Sequence, residues 1–218
     1  SNQLIEPCEK LKINLSSVIK AVNFGYGRND IAKPSPGVGG PCLSKDPYIF
    51  FNNLKTNDNK SILKKVRTIN ENIPKYVYSK VLKLIKSVKI NKKDIKIFFL
   101  GLAFKGNPET SDVRDSTSIQ VIKCFSKFKN IYCYDPVLKV NEIKKLGLKY
   151  SNISSGFKNA DVIIFLNNHK SFEMLNIEEL LKKTKKPSIL VDTWNMLDEM
   201  KIKQLKSVYY SGLGNERI

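Results

Sequence analysis

From Ile95 onward, short apolar runs alternate with stretches of helical spacing, and this alternation constrains the fold more than any other feature of the chain. "IKIFFLGLAF" is an apolar run that ends in glycine, the pattern of a buried strand entering a turn. "STSIQVIKCFSKF" follows with helical spacing behind a Ser/Thr start. Then come strand-like "NIYCYDP", helix-like "VNEIKKLG", strand-like "ADVIIFLNNH", helix-like "NIEELLKK", and the strand-like pair "PSILVDTWN" and "SVYYSGLG". Strands joined through helices form parallel ladders, so this order predicts an α/β fold with a parallel, doubly wound sheet.

The first part of the chain reads differently. Residues 3–24 have helical spacing broken near Asn14, and 61–88 read as one long helix with a possible bend at Pro74, ended by "NKKD". The chain is therefore expected to divide into a helical segment, 1–92, and a Rossmann-like domain, 93–218. No cap precedes Leu4, from which we expect that a segment upstream has been removed. Residues 25–47 are expected to form a loop.

That loop holds the most unusual stretch, "PSPGVGGPCLSKDPY", with four prolines, three glycines and one cysteine in fifteen residues. Prolines fix φ and stiffen the loop; glycines let another group approach the main chain. A thiol held this way, four residues ahead of Asp46, fits either a nucleophile or a buried, inert cysteine.

The net charge of +18 raises the question of nucleic acid. Of 38 basic residues only four are arginine (Arg28, Arg67, Arg114 and Arg217), which leaves 34 lysines scattered through every segment. Base and bidentate phosphate contacts lean on arginine, so the pattern argues for a solvated lysine surface and against nucleic acid as a partner. It also suits a small polyanion such as a nucleotide diphosphate. No apolar run approaches the roughly 20 residues of a membrane span, and "SNQLIEPCEK" lacks the apolar core of a signal peptide. Cys8, Cys42, Cys124 and Cys133 have no C-x-x-C spacing and read as reduced thiols, which predicts a cytoplasmic protein.

Parallel sheets take ligands at the carboxyl ends of their strands. The loops expected there, "GLAFKGNPETSDVRDS", "YDP", "NNHKSF" and "DTWN", offer Lys105, Arg114, Asp135, His169 and Asp192, with an anion-favouring helix N-terminus near Ser116. No strand is followed by G-x-G-x-x-G, the dinucleotide fingerprint.

These residues resemble one family. "GVGGPCLSKD" is similar to the catalytic loop of the UDP-sugar 6-dehydrogenases, G-x-G-G-x-C-x-x-x-D, and "GLAFKGNPETSDVRDS" to their second signature. "YDP", "ADVIIFLNNHKSF" and "VDTWNML" follow in the family's order, and "CEKLKINLSSVIKAVN" resembles the helix joining its two domains. The family has an NAD-binding domain, a central helical segment and a UDP-binding domain; the resemblance covers the last two. It implies NAD as cofactor, a UDP-sugar as substrate, a homodimer, and oxidation of a sugar C6 alcohol to the acid through a thioester on Cys42. By the same resemblance Asp46 positions or activates water. Arg28, Gly39, Gly40 and Lys105 meet the substrate, with amides near Gly39 and Gly40 facing a developing oxyanion. Arg114 meets the cofactor, unless it is a structural bridge to Asp112 or Asp115. His169 is expected to cap or line a loop, and Cys8, Cys124 and Cys133 to be core residues. A lysine and an asparagine that the family uses upstream are not in this chain. "PGVGGPC", "DPY" and "NNHKSF" lean toward members acting on UDP-N-acetylmannosamine, and "SKD" toward UDP-glucose. Without the fingerprint, the alternative for these 218 residues is a non-catalytic UDP-sugar-binding and dimerising module.

Overall fold

Period-two alternation sends successive side chains of a strand to opposite faces, and here both faces are apolar. In a computed structural model, which describes residues 1–53, 61–91 and 94–215, the strands β1 (Lys96–Leu100), β2 (Asn130–Tyr134), β3 (Val162–Phe165), β4 (Ser188–Asp192) and β5 (Val208–Gly212) form one sheet. Every pairing is parallel, in the order β2-β1-β3-β4-β5. Ile97, Phe99, Val162, Ile164, Ile189 and Val191 enter one buried cluster, and Phe98, Leu100, Ile163, Phe165 and Leu190 enter another on the opposite face. The doubly wound α/β expectation holds.

Helices cover both faces. The first cluster is closed by α1 (Ile5–Lys10), α2 (Leu15–Asn23), α4 (Ile62–Ser87), α5 (Thr117–Cys124) and α6 (Val140–Lys145), through Ile5, Leu15, Val77, Val81, Ile85, Val121 and Ile143. The second is closed by α7 (Ile153–Phe157), α8 (Lys170–Glu173), α9 (Ile177–Lys182) and α10 (Glu199–Lys203), through Phe157, Phe172, Leu181 and Ile202. The break expected near Asn14 is the N-cap of α2, whose side chain accepts the Ser17 amide. α7, α8 and α10 span five residues or fewer, too short to leave a periodic signal.

The helical segment shares its core with the sheet. Glu9 is buried, and its carboxylate accepts from Lys80 Nζ at 2.7 Å, from the Gly214 amide at 2.9 Å and from the Tyr76 hydroxyl. Gly214 in turn accepts the Leu15 amide. This network ties α1 and α4 to the turn after β5. The expected boundary between residues 92 and 93 lies outside the described residues, as does Arg217.

One expectation is corrected at the loop. It ends at Gly40, and α3 runs from Pro41 to Asn53, so Cys42 and Asp46 are helical residues. Proline at the first helical position needs no N–H partner and is preset in φ, which makes Pro41 a helix starter where the sequence reads as a loop. The second proline, Pro47, lies inside α3 and withholds an amide from its ladder. Among the described residues no helix is long and apolar enough to cross a membrane.

Candidate functional site

The order β2-β1-β3 reverses the direction of winding between β1 and β3, so their carboxyl ends open a crevice. The loop after β1, residues 101–116, is anchored at its start by Asp135 at the end of β2. Asp135 Oδ2 accepts the amides of Leu102 and Ala103 at 2.7 and 3.2 Å, and Oδ1 accepts those of Val137 and Leu138. Phe104 N donates to Asp112 O, and Ser116 Oγ to Leu102 O at 2.6 Å, closing the loop on itself.

The cysteine loop is laid onto this one. Pro34, Ser35, Pro36, Gly37, Gly39 and Gly40 are buried. Asn70 of α4 clamps Val38 from both sides: Oδ1 accepts its amide at 2.7 Å and Nδ2 donates to its carbonyl at 2.9 Å. Thr117 Oγ1 donates to Gly37 O, the Gly40 amide donates to Asp115 O at 3.3 Å, and Ser44 Oγ donates to Asp115 Oδ2 at 2.7 Å. A Cβ at Gly39 would lie 2.6 Å from Asp115 O, and one at Gly40, where φ is +100°, 3.2 Å from the Phe104 ring. The glycines thus admit protein backbone and an aromatic ring.

Cys42 then stands exposed in the first turn of α3, and Asp46 is exposed one turn later, on the same side of the helix. Arg114 lies close enough to the thiol to interact with it electrostatically. Its guanidinium forks onto Asp112, with Nε 3.0 Å from both carboxylate oxygens and Nη2 2.6 Å from Oδ2. That hydrogen bond holds the Asp112 carboxyl below its ordinary range. The same hydrogen bond, and then the charge of Asp112, raise the guanidinium's own pKa, with smaller electrostatic contributions from Cys42 and Asp115. The bridge to Asp112 is therefore present, and Arg114 still shares the field of the thiol. Lys105 is half-buried, its Nζ 5.4 Å from the centroid of the Phe104 ring that Gly40 touches.

Cys42, Asp46, Gly39, Gly40, Lys105 and Arg114 are brought together by these contacts. None of these contacts involves Arg28, which lies in an exposed turn tied back onto α2 by Asn29 Nδ2 to Val22 O and by Asn23 pairing with Ile31. The α5 N-terminus at Ser116, expected to face an anion, is closed by the Gly37–Gly40 backbone, because Ser116 and Thr117 are buried and Gly39 lies against the Thr117 amide. Asp192 is fully buried and accepts the amides of Trp194, Met196 and Leu197 and the Tyr210 hydroxyl; burial pushes its carboxyl up, against those hydrogen bonds. It shapes the turn after β4. His169 caps α8, as expected: Nδ1 accepts the Ser171 amide at 3.1 Å.

Cys133 is buried and its thiol is pushed up to about 12 by burial. Cys8 and Cys124 are half-buried at the rim of the first cluster, less enclosed than expected, since α1 and α5 each turn an edge to solvent there. All four cysteines are free thiols. Among the described residues no cluster of three metal-ligating side chains occurs. The sequence reading missed Asn70 and Phe104 and gave Asp115 only as an alternative partner of Arg114, yet all three organise the site. Asn70 had one signal, an amide amid the long helix in "TINENIP", where packing favours apolar or charged residues.

Comparison with known proteins agrees with this geometry. Residues 98–199 match the profile of the UDP-glucose/GDP-mannose dehydrogenase family's UDP-binding domain, and residues 1–72 that of its central domain. A UDP-N-acetyl-D-mannosamine dehydrogenase of Methanococcus vannielii is 34% identical over 203 residues, 91% of this chain and 44% of that protein. One of Campylobacter jejuni is 36% identical over 178 residues, 79% of this chain and 41% of that protein. The solved UDP-D-ManNAc dehydrogenase of Pyrococcus horikoshii superposes with a TM-score of 0.82 at 25% identity, covering 98% of this chain and 47% of that one. The chain spans less than half the length of each of these relatives. With both profiles met in order along one chain, and the fold shared with a solved member, the chain belongs to the UDP-glucose/GDP-mannose dehydrogenase family.

Proposed function

We propose that this chain is the central and UDP-binding portion of an NAD-dependent dehydrogenase that oxidises the C6 alcohol of a UDP-sugar to the uronate. The favoured substrate is UDP-N-acetyl-D-mannosamine, the sugar named for the Methanococcus vannielii and Campylobacter jejuni relatives. The observation that carries the reading is the exposed Cys42 thiol, in the first turn of α3, seated on the loop that bears Lys105 and Arg114. The UDP moiety sits at the carboxyl ends of β1 and β3, where the Lys105 ammonium meets its charge.

The chain's residues fit one edge of a dinucleotide site. Arg114 offers an exposed guanidinium beside Cys42, suited to a pyrophosphate oxygen, while no G-x-G-x-x-G occurs in the 218 residues. The dinucleotide site, when filled, would supply the hydride acceptor, one NAD for each of the two oxidations. After the first, the Cys42 thiolate adds to the aldehyde carbon; the C–S bond forms and the carbonyl oxygen takes the electron pair. The Gly40 amide, expected to face that oxygen, is spent on Asp115 O, so the donor role passes to the Cys42 and Leu43 amides, in the first turn of α3 where helix partners are lacking. Loss of hydride from this carbon leaves a thioester. Water, held by Asp46, adds to it, and the C–S bond breaks to give carboxylate and thiolate. For the 218 residues alone, the missing fingerprint favours a second reading, UDP-sugar binding without turnover.

A homodimer belongs to the same reading, supported by the exposed apolar side chains Val18, Val22, Phe24, Tyr26 and Ile31 and tested by sedimentation. The deciding experiment is calorimetric titration of the folded chain with millimolar UDP. Saturable binding is expected; no heat would sink the proposal.

A further inference from the structure

We propose that His169 is a positioning residue: with Glu109 it latches the loop carrying Lys105 to the carboxyl end of β3, and so fixes Lys105 for the UDP moiety, a role that rests on the reading above. The stretch 105–110 crosses the crevice, and its contacts run to the start of α8. The Gly106 amide donates to Asn168 Oδ1 at 3.1 Å. A Cβ at Gly106 would lie 2.3 Å from the His169 amide nitrogen, so the two backbones touch. Glu109 Oε2 lies 2.9 Å from His169 Nε2.

The imidazole is oriented before it meets Glu109. Its Nδ1 accepts the Ser171 amide, and Ser171 Oγ lies 2.8 Å from the same nitrogen. The ring tilts against Phe172, 5.8 Å between centroids. With Nδ1 accepting, the proton resides on Nε2, which donates to Glu109. The His169 side chain is 9% exposed and the Glu109 side chain 68% exposed, so a fixed ring reaches out to a solvated partner. A pair of that kind adds little to stability, at the level of surface ion pairs. Its consequence is positional. Lys105 stands between Phe104, which rests on Gly40 of the cysteine loop, and Gly106, which rests on His169. Its place relative to Cys42 is set by both clamps.

The test uses Glu109→Ala, Glu109→Gln and His169→Asn. Glutamine still accepts from Nε2–H; asparagine reproduces the Nδ1 cap of α8 but falls short of Glu109. Glu109→Ala and His169→Asn are expected to weaken UDP binding about three- to tenfold in calorimetry, and Glu109→Gln to stay within about twofold. Unfolding temperatures stay within about 2 °C of wild type for both Glu109 variants. Hydrogen exchange of amides 104–112 needs no UDP: it should quicken in Glu109→Ala and His169→Asn and return toward wild type in Glu109→Gln. Unchanged exchange in Glu109→Ala overturns the latch. Faster exchange with unchanged UDP affinity overturns the positioning of Lys105. A wild type that binds no UDP overturns the substrate reading and the part given to Lys105, while exchange still decides the latch.

Discussion

Replacing Gly39 by alanine probes the contact on which the site depends. The new methyl carbon would lie 2.6 Å from Asp115 O, where ordinary contact begins at 3.4 Å, and also 3.2 Å from the Thr117 amide and 3.3 Å from Phe104 Cβ. About 0.8 Å must be found, and the main obstacle is backbone, which cannot rotate away as a side-chain tip can. Overpacking of this kind costs about 1–3 kcal/mol. Separating the two loops also weakens the Gly40–Asp115 hydrogen bond, worth about 0.5–1.5 kcal/mol. The sum, about 1.5–4.5 kcal/mol, lowers Tm by roughly 3–18 °C in a chain of this length. The control is Gly27→Ala, where a Cβ meets nothing within 4 Å and φ is not left-handed. There the loss of unfolded-state entropy leaves stability level or raises it by about 0.4–1 kcal/mol. Both variants are read by circular dichroism melts under identical conditions. If Gly39→Ala melts with the wild type, the cysteine loop is not seated on the Asp115 turn and the site as described is wrong.

Other outcomes follow from the same contacts. Alkylation of the native chain with iodoacetamide, read by peptide mass spectrometry, should modify Cys42 first and leave Cys133 untouched, because one thiol is exposed and the other buried; equal labelling in the folded state contradicts this. Alkaline stability should carry a Cys133 signature: the folded thiol keeps its proton to about 12, while the unfolded one gives it up from its ordinary 9.0, so stability is lost as pH rises through that window. By pH 10.5 this amounts to about 2 kcal/mol, absent in Cys133→Ala, and parallel urea-unfolding profiles for the two between pH 8 and 10.5 would refute it. Asp135→Asn turns one acceptor of four backbone amides into a donor and should cost about 3–5 kcal/mol in urea unfolding; a loss under 1 kcal/mol would show that the loop after β1 is anchored elsewhere.

The sequence by itself determined the sheet, the long helix and the family signature carried by the cysteine loop. Apolar runs such as "KIFFL" and "VIIF" have both faces buried, so their strand character is a local property that tertiary contacts had no need to override. Signature residues such as Cys42 and Lys105 were visible because their spacing is local. Tertiary structure decided what surrounds them. Cys42 became a helix residue because Pro41 starts α3 where a run of prolines and glycines reads as loop. The glycines proved to admit Asp115 and Phe104, more than seventy and sixty residues away, contacts no local pattern encodes. Asp135, Asp192 and His169 look alike in sequence, polar groups at strand ends. The fold spends the first two on backbone amides and turns the third toward Glu109, because only the assembled sheet brings those partners within hydrogen-bond reach.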